Sequence, residues 1–198
     1  MSAEAAEATE NPKHAIIHSA AIVVFSARGF AGTSMSHIAD EAGMSRPALY
    51  QYFRNKGDIF ASAIITLVEN AADRSMAALL EPGSLAEQLD SYLQRFEGDL
   101  WERMSASNHG EEILSAKTEY APRAMVVVMA RMRDGLEQYL RRSGAGGRSA
   151  AAIRQRTDWM EILEFAPKGF KFDQPSVPAY RRRLTALAQS IAADIAAT

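Results

Sequence analysis

The sequence predicts an all-α fold, a small N-terminal three-helix module followed by a larger helical body. Three observations carry this expectation. Apolar residues recur at steps of three and four through the long segments, the period of a helix face, and no stretch keeps the period of two that a strand needs. Alanine, the residue with the highest helix propensity, occurs 36 times in 198 residues. Glycine and proline are few, at 12 and 7.

The elements follow in order. Residues 1–11 read as a disordered tail, and its Glu4, Glu7 and Glu10 carry the wrong charge for a signal peptide. Pro12 suits a first helical turn. Ile16, Ile17, Ala20, Ala21, Val24 and Phe25 then recur at helical spacing until Gly29 closes the segment. Two short helices are expected over 35–42 and 46–53, with Gly43-Met44-Ser45 between them. Asn55 can cap a fourth helix from Lys56 to about Leu80. After a break at Pro82-Gly83, Ser84 can cap a helix from Leu85 to about Ser105. A short helix near 111–119 stops before Pro122, and a long one runs from Arg123 to Arg142. Ser143 to Gly147 form a glycine-rich loop. Helices over about 149–165 and 178–197 finish the chain, parted by Pro167, Gly169 and Pro175.

Composition narrows the classes of function. With 47% hydrophobic and 23% charged residues the chain can bury a core. It has no cysteine, so disulfides, cysteine-based zinc sites and a cysteine nucleophile are excluded; a reducing cytoplasm is the expected location. The longest apolar run, Ala124 to Ala130, is far short of a membrane span, and no membrane partner is expected. A net charge of -2 argues at first against a polyanionic partner. By segment the picture differs. Residues 1–10 net -3, and Lys13, Arg28, Arg46, Arg54 and Lys56 outweigh Asp40 and Glu41 to give about +3 over residues 11–57. The remainder nets about -2, so a small basic module precedes a mildly acidic body.

The window Ser34 to Phe53, SMSHIADEAGMSRPALYQYF, has the spacing of a helix-turn-helix. Ser34 can cap its first helix and Ser45 its second, with Pro47 tolerated in the first turn. Ala39 falls where the two helices cross closely, and Gly43 where a left-handed backbone is needed. Ile38, Ala42, Met44, Leu49 and Phe53 form the expected buried side. Arg46, Ala48, Tyr50, Gln51 and Tyr52 are left mostly outside it, although Tyr50 has an alternative place against the first helix. An arginine and two tyrosines on a short outward-facing helix suit a DNA major groove: arginine reads guanine edges, an alanine methyl meets a thymine methyl, and tyrosine hydroxyls bond phosphate.

Gly32-Thr33-Ser34, Ile38-Ala39, Ala42-Gly43, Leu49-Tyr50, Tyr52-Phe53 and Lys56 together resemble the N-terminal DNA-binding domain of the TetR family of bacterial transcriptional regulators. The likeness covers about residues 13–60. It implies that Ser34 and Ser36 touch phosphate, that Ser45, Arg46, Pro47, Ala48, Tyr50 and Tyr52 sit at the groove, and that Lys56 contacts phosphate at the start of the fourth helix. His37 stands where the family often carries a charged residue. The implied organisation is a helix-turn-helix DNA-binding domain over 12–57 and an effector-binding and dimerisation domain over 58–198.

In that body Val177, Tyr180, Leu184, Leu187, Ile191 and Ile195 make one apolar stripe, and Ile153, Thr157, Met160 and Leu163 another. Both are expected to pair with their symmetry mates in a homodimer; Ile153, Met160, Leu163, Tyr180, Leu184, Leu187 and Ile191 are its candidate interface. Packing within one chain is the alternative for both stripes. Tyr92, Phe96, Trp101, Met104, Tyr120, Met125, Met129, Met132 and Trp159 are candidates for an adaptable apolar effector cavity. Glu97, Glu112 and Glu119 could give it negative anchors and so hint at a cationic or hydrogen-bonding amphiphile.

Catalytic and metal chemistry is not expected. His14 and His18 stand four apart without an evident third ligand, and Gly144 to Gly147 lack the Lys and Ser/Thr of a phosphate loop. No cofactor is expected either. The function expected is that of a dimeric regulator, the repressor of a palindromic double-stranded DNA operator that a small-molecule effector releases. Alternatives are an activator, an effector-independent DNA binder, or a helical binding or enzymatic protein that no longer contacts DNA.

Overall fold

A computed structural model describes residues 12–120, 122–143 and 147–197, and among these every regular element is helical. The helices are α1 (Pro12–Arg28), α2 (Met35–Glu41), α3 (Arg46–Tyr50), α4 (Lys56–Ala78), α5 (Leu85–Leu93), α6 (Asp99–Ser105), α7 (Gly110–Tyr120), α8 (Pro122–Arg142), α9 (Ala150–Gly169) and α10 (Val177–Ala196). The expected tail over 1–11 and the centre of the glycine-rich loop lie outside the described residues.

The chain forms two compact units. The first runs to Thr66 and takes in Ser107–Pro122; the second comprises Leu67–Ala106 and Arg123–Thr198. The boundary between them falls inside α4, and α7, remote in sequence, belongs with the N-terminal helices.

In the first unit, Ile17, Ala21, Ile38, Leu49 and Ile59 are almost wholly buried. Phe25 and Phe60 meet edge to face at 5.0 Å, which fixes α1 against α4. His18 is buried and its Nε2 lies 2.9 Å from Ser62 Oγ. The predicted caps form: Ser34 Oγ accepts from His37 N at 3.2 Å, Ser45 Oγ from Ala48 N at 3.3 Å, and Asn55 Oδ1 from Asp58 N at 2.9 Å. Ala42 and Met44, expected in the core, are half-buried.

In the second unit α10 is the central element. Tyr180, Leu184, Leu187, Ala188 and Ile191 of α10 are buried, and Arg181 reaches Gln94 Oε1 at 3.0 Å and Asp99 Oδ1 at 2.9 Å. This corrects the proposed interface. Of its candidates all but Ile153 are already interior to a single chain, because α10 spends its apolar stripe on α5 and α9. A periodic stripe records that a face is buried, not whether the partner is its own chain or another. The apolar side chains that α9 leaves exposed are Ile153, Ile162 and Phe165.

Three boundaries also differ from expectation. The helix expected over 46–53 ends at Tyr50, with Gln51 as its C-cap. The helix predicted as one piece from Leu85 widens to a π turn over Gln94–Gly98, where Asp99 N bonds Gln94 O. The helix α9 continues past Pro167 to Gly169. The proline removes one backbone donor, but Phe170 N bonds Ala166 O at 3.0 Å and the Tyr180 hydroxyl donates to Pro167 O at 3.1 Å, so the last turn holds.

Candidate nucleic-acid interface and ligand cavity

The turn between α2 and α3 sets the first site. Gly43 has φ +64°, and the chain folds back with Met44 N on Ala39 O at 3.0 Å and Gly43 N on Asp40 O at 3.2 Å. Ala39 is buried at this crossing. Leu49, fully buried, then anchors α3 from beneath. Ser45, Arg46, Pro47, Tyr50 and Gln51 are exposed, and Ala48 is half-buried. Arg46 Nη2 donates to Tyr50 Oη at 3.3 Å, and its guanidinium lies 5.6 Å from the Tyr50 ring, so the two long side chains brace each other on the outer face. Tyr50 therefore faces outward. It is Tyr52 that turns to α1, edge on to His14 at 5.7 Å. Ser34 and Ser36 are half-buried at the start of α2, with Ser34 Oγ and N both engaged with His37 in the cap.

Lys56 has a different environment from the one its position implies. Its Nζ donates to the carbonyls of Phe30 at 2.7 Å, Thr33 at 2.9 Å and Ala31 at 3.1 Å. It also lies 4.8 Å from the Phe30 ring centroid. All its donors are spent tying the α1–α2 connection to α4.

Helix α7 closes the same unit. Glu112 accepts from Ala31 N at 2.5 Å, and Tyr120 packs on Phe30 at 4.9 Å and Phe60 at 6.3 Å. A Cβ at Gly57 would stand 2.7 Å from the Tyr120 ring, so only glycine admits this approach. Tyr120 is thus a packing residue of the first unit.

The second unit contains a cavity of about 40 Å³. Four candidates line it: Tyr92, Phe96, Met129 and Met132. Met160 and Leu163, expected at a dimer interface, line it too. The other candidates do not. Trp101 donates to Pro175 O at 3.2 Å, Trp159 is buried with Nε1 on Asp194 Oδ2 at 2.7 Å, and Met104 and Met125 are half-buried elsewhere. Sequence reasoning missed the charged rim of Arg133, Glu164 and Lys168. Arg133 bonds Glu164 at 3.0 Å and Lys168 approaches it at 3.5 Å. Of the three proposed negative anchors only Glu97 reaches the cavity, since Glu112 and Glu119 lie in the first unit. Glu97 is already matched by Lys171 at 2.6 Å and by the Tyr180 hydroxyl at 3.1 Å.

Comparison with known proteins bears on the first unit. Residues 17–63 match the profile of bacterial regulatory proteins of the tetR family. The module over residues 17–63 is thus similar to that of the TetR family. The TetR-family match spans α2 and α3 and ends within α4. Relatives include the HTH-type transcriptional repressor SCO4008 of Streptomyces coelicolor, 32% identical over 93 residues, 47% of this chain and 45% of that one. The HTH-type transcriptional activator FasR of Mycolicibacterium smegmatis is 32% identical over 77 residues, 39% of this chain and 35% of that one. These matches span less than half the length of the curated relatives. Among solved structures, one from Mesorhizobium loti ascribed to the TetR family is 20% identical with a TM-score of 0.68, covering 91% of this chain and 95% of that one. A regulator of the TetR/AcrR family from Thermobifida fusca is 20% identical with a TM-score of 0.59, covering 90% and 97%. At these identities the likeness shows the fold alone: the helical architecture of those structures extends over most of the chain. Among the described residues no helix is long and apolar enough to cross a membrane.

Proposed function

We propose that this chain is a sequence-specific DNA-binding transcriptional regulator of the TetR family, not an enzyme. It acts in the cytoplasm as a homodimer on a palindromic operator and leaves that operator when a small-molecule effector binds the second unit. The observation that carries the reading is α3, a helix anchored by buried Leu49 that presents Arg46, Tyr50 and Gln51 outward. Such a helix fits a major groove, with Arg46 at base edges and Ser45 and the Tyr50 hydroxyl at phosphate. Two copies about one DNA turn apart would read a palindrome. The residues proposed for the dimer contact are those α9 leaves exposed: Ile153, Ile162 and Phe165.

The domain roles follow. Residues 12–57 supply the DNA-binding helices, and the body supplies the cavity with Tyr92, Phe96, Met129 and Met132 as effector contacts. Effector and operator oppose each other, so an effector that weakens DNA binding must itself bind the DNA complex less well by the same factor.

The test is fluorescence anisotropy with DNA from the region upstream of the gene, against a shuffled sequence, over a salt series. The reading expects a salt-dependent preference for one palindromic segment. Equal affinity for both sequences at every salt concentration rejects it. Activation is the second reading, supported by the similarity to an activator as well as to a repressor. Transcript levels from the bound promoter rise on deletion of the gene under the first reading and fall under the second.

A further inference from the structure

The groups at the cavity of the second unit select among ligand classes, and the inference drawn from them rests on the effector reading above. Tyr92 is 7% exposed and lines the cavity. Among the described residues its hydroxyl has no hydrogen-bond partner, although it lies in the field of both Glu97 and Glu164. Burial first, then those two carboxylates, push its ionisation well above the ordinary tyrosine range. It is therefore a protonated donor at the cavity wall.

The two carboxylates are already neutralised. Glu97 has Lys171 and the Tyr180 hydroxyl, and Glu164 has both Arg133 at 3.0 Å and Lys168 at 3.5 Å. Two cations at the rim thus share one carboxylate, and the group as a whole carries more positive than negative charge. A cationic ligand would have to displace Lys171, Arg133 or Lys168 from their partners. An anionic one meets a surplus cation and a protonated hydroxyl that can donate to it. The remaining wall is apolar, with Met129, Met132 and Met160 set among leucine and phenylalanine side chains. About 40 Å³ holds only a few water molecules, so an apolar body must push side chains aside. Methionine, unbranched and with three rotatable bonds, yields most readily.

We propose that the cavity binds an amphiphilic carboxylic acid, its carboxylate held by Arg133, Lys168 and the Tyr92 hydroxyl and its apolar body among the three methionines. Glu164 gives up part of its hold on the two cations as the ligand enters. This differs from the cationic or hydrogen-bonding amphiphile that the acidic residues of the sequence suggested.

Isothermal titration of the full chain with decanoate, decan-1-ol and decyltrimethylammonium, each below its aggregation threshold, tests this. The expected result is that decanoate binds at least tenfold tighter than either of the others. Tyr92→Phe, which keeps the ring and its packing, should weaken decanoate several-fold and leave decan-1-ol unchanged; Arg133→Gln should do the same. Tighter binding of the ammonium compound, or equal binding of all three with no effect of Tyr92→Phe, overturns the proposal while sparing the effector cavity. Absence of binding by all three in a protein that still holds its operator overturns both.

Discussion

Lys56 and Arg46 show how one charge class serves two purposes in a small module. Lys56 gives its three donors to backbone carbonyls, whereas Arg46 is exposed and touches only Tyr50 among the described residues. Removing Lys56 leaves a set of carbonyls short of a charged donor, a loss of about 1.5–3 kcal/mol. Lys56→Met should therefore lower the urea midpoint of unfolding while the salt slope of DNA binding stays the same. A slope reduced by about one, with stability unchanged, would return Lys56 to the phosphate contact that the resemblance implied. Arg46→Ala should behave in the opposite way. Its stability should hold, and affinity for the operator should drop by about 1–3 kcal/mol with little change on random DNA. Anisotropy titrations on both DNAs separate base reading from a general charge effect. The outward placement of Arg46 was legible in the sequence because it needs only exposure on a short helix. The Lys56 role was not, because its acceptors are brought to it from 23 to 26 residues away.

At the scale of elements, local signals were reliable wherever the chemistry is local. The caps at Ser34, Ser45, Asn55 and Ser84 engage residues three positions on, so spacing alone reveals them. Gly43 belongs with them. Its φ of +64° is a backbone requirement, and a Cβ there would meet nothing within 4 Å. Gly43→Ala should cost about 1–2 kcal/mol through the backbone alone, and Gly43→Asn less, because asparagine tolerates this conformation better. Chemical denaturation of the two variants measures the difference; equal losses would mean that the turn does not govern stability here. The π turn at Gln94–Gly98 and the survival of α9 past Pro167 gave no such signal. At the first, Phe96 is buried and Glu97 meets Lys171 and Tyr180, remote in sequence; at the second, a hydroxyl from α10 donates to Pro167 O.

At the scale of the whole molecule, the question is which apolar surfaces are used within the chain and which stay exposed, where the proposed dimer would form. Leu184 is fully buried, whereas Ile162 and Phe165 are 44% and 54% exposed. Ile162→Glu with Phe165→Glu should shift the molecule from dimer to monomer in light scattering while its helical circular dichroism persists. Leu184→Glu should unfold the second unit, since it places an unpaired charge in a core. A monomeric wild type at micromolar concentration would reject the dimer. Sequence alone determined the all-helical class, nearly every helix boundary, and the helix-turn-helix with its outward α3. These follow from periodicity, caps and turn residues, interactions that act over three or four positions. Tertiary structure decided that the α10 stripe is spent inside the chain, that α7 joins the N-terminal unit, that Lys56 is a structural tie, and that Tyr92 meets Arg133, Glu164 and Lys168 at one cavity. Each of these is a meeting of residues far apart in sequence, and the period of an apolar stripe is the same whichever surface it meets.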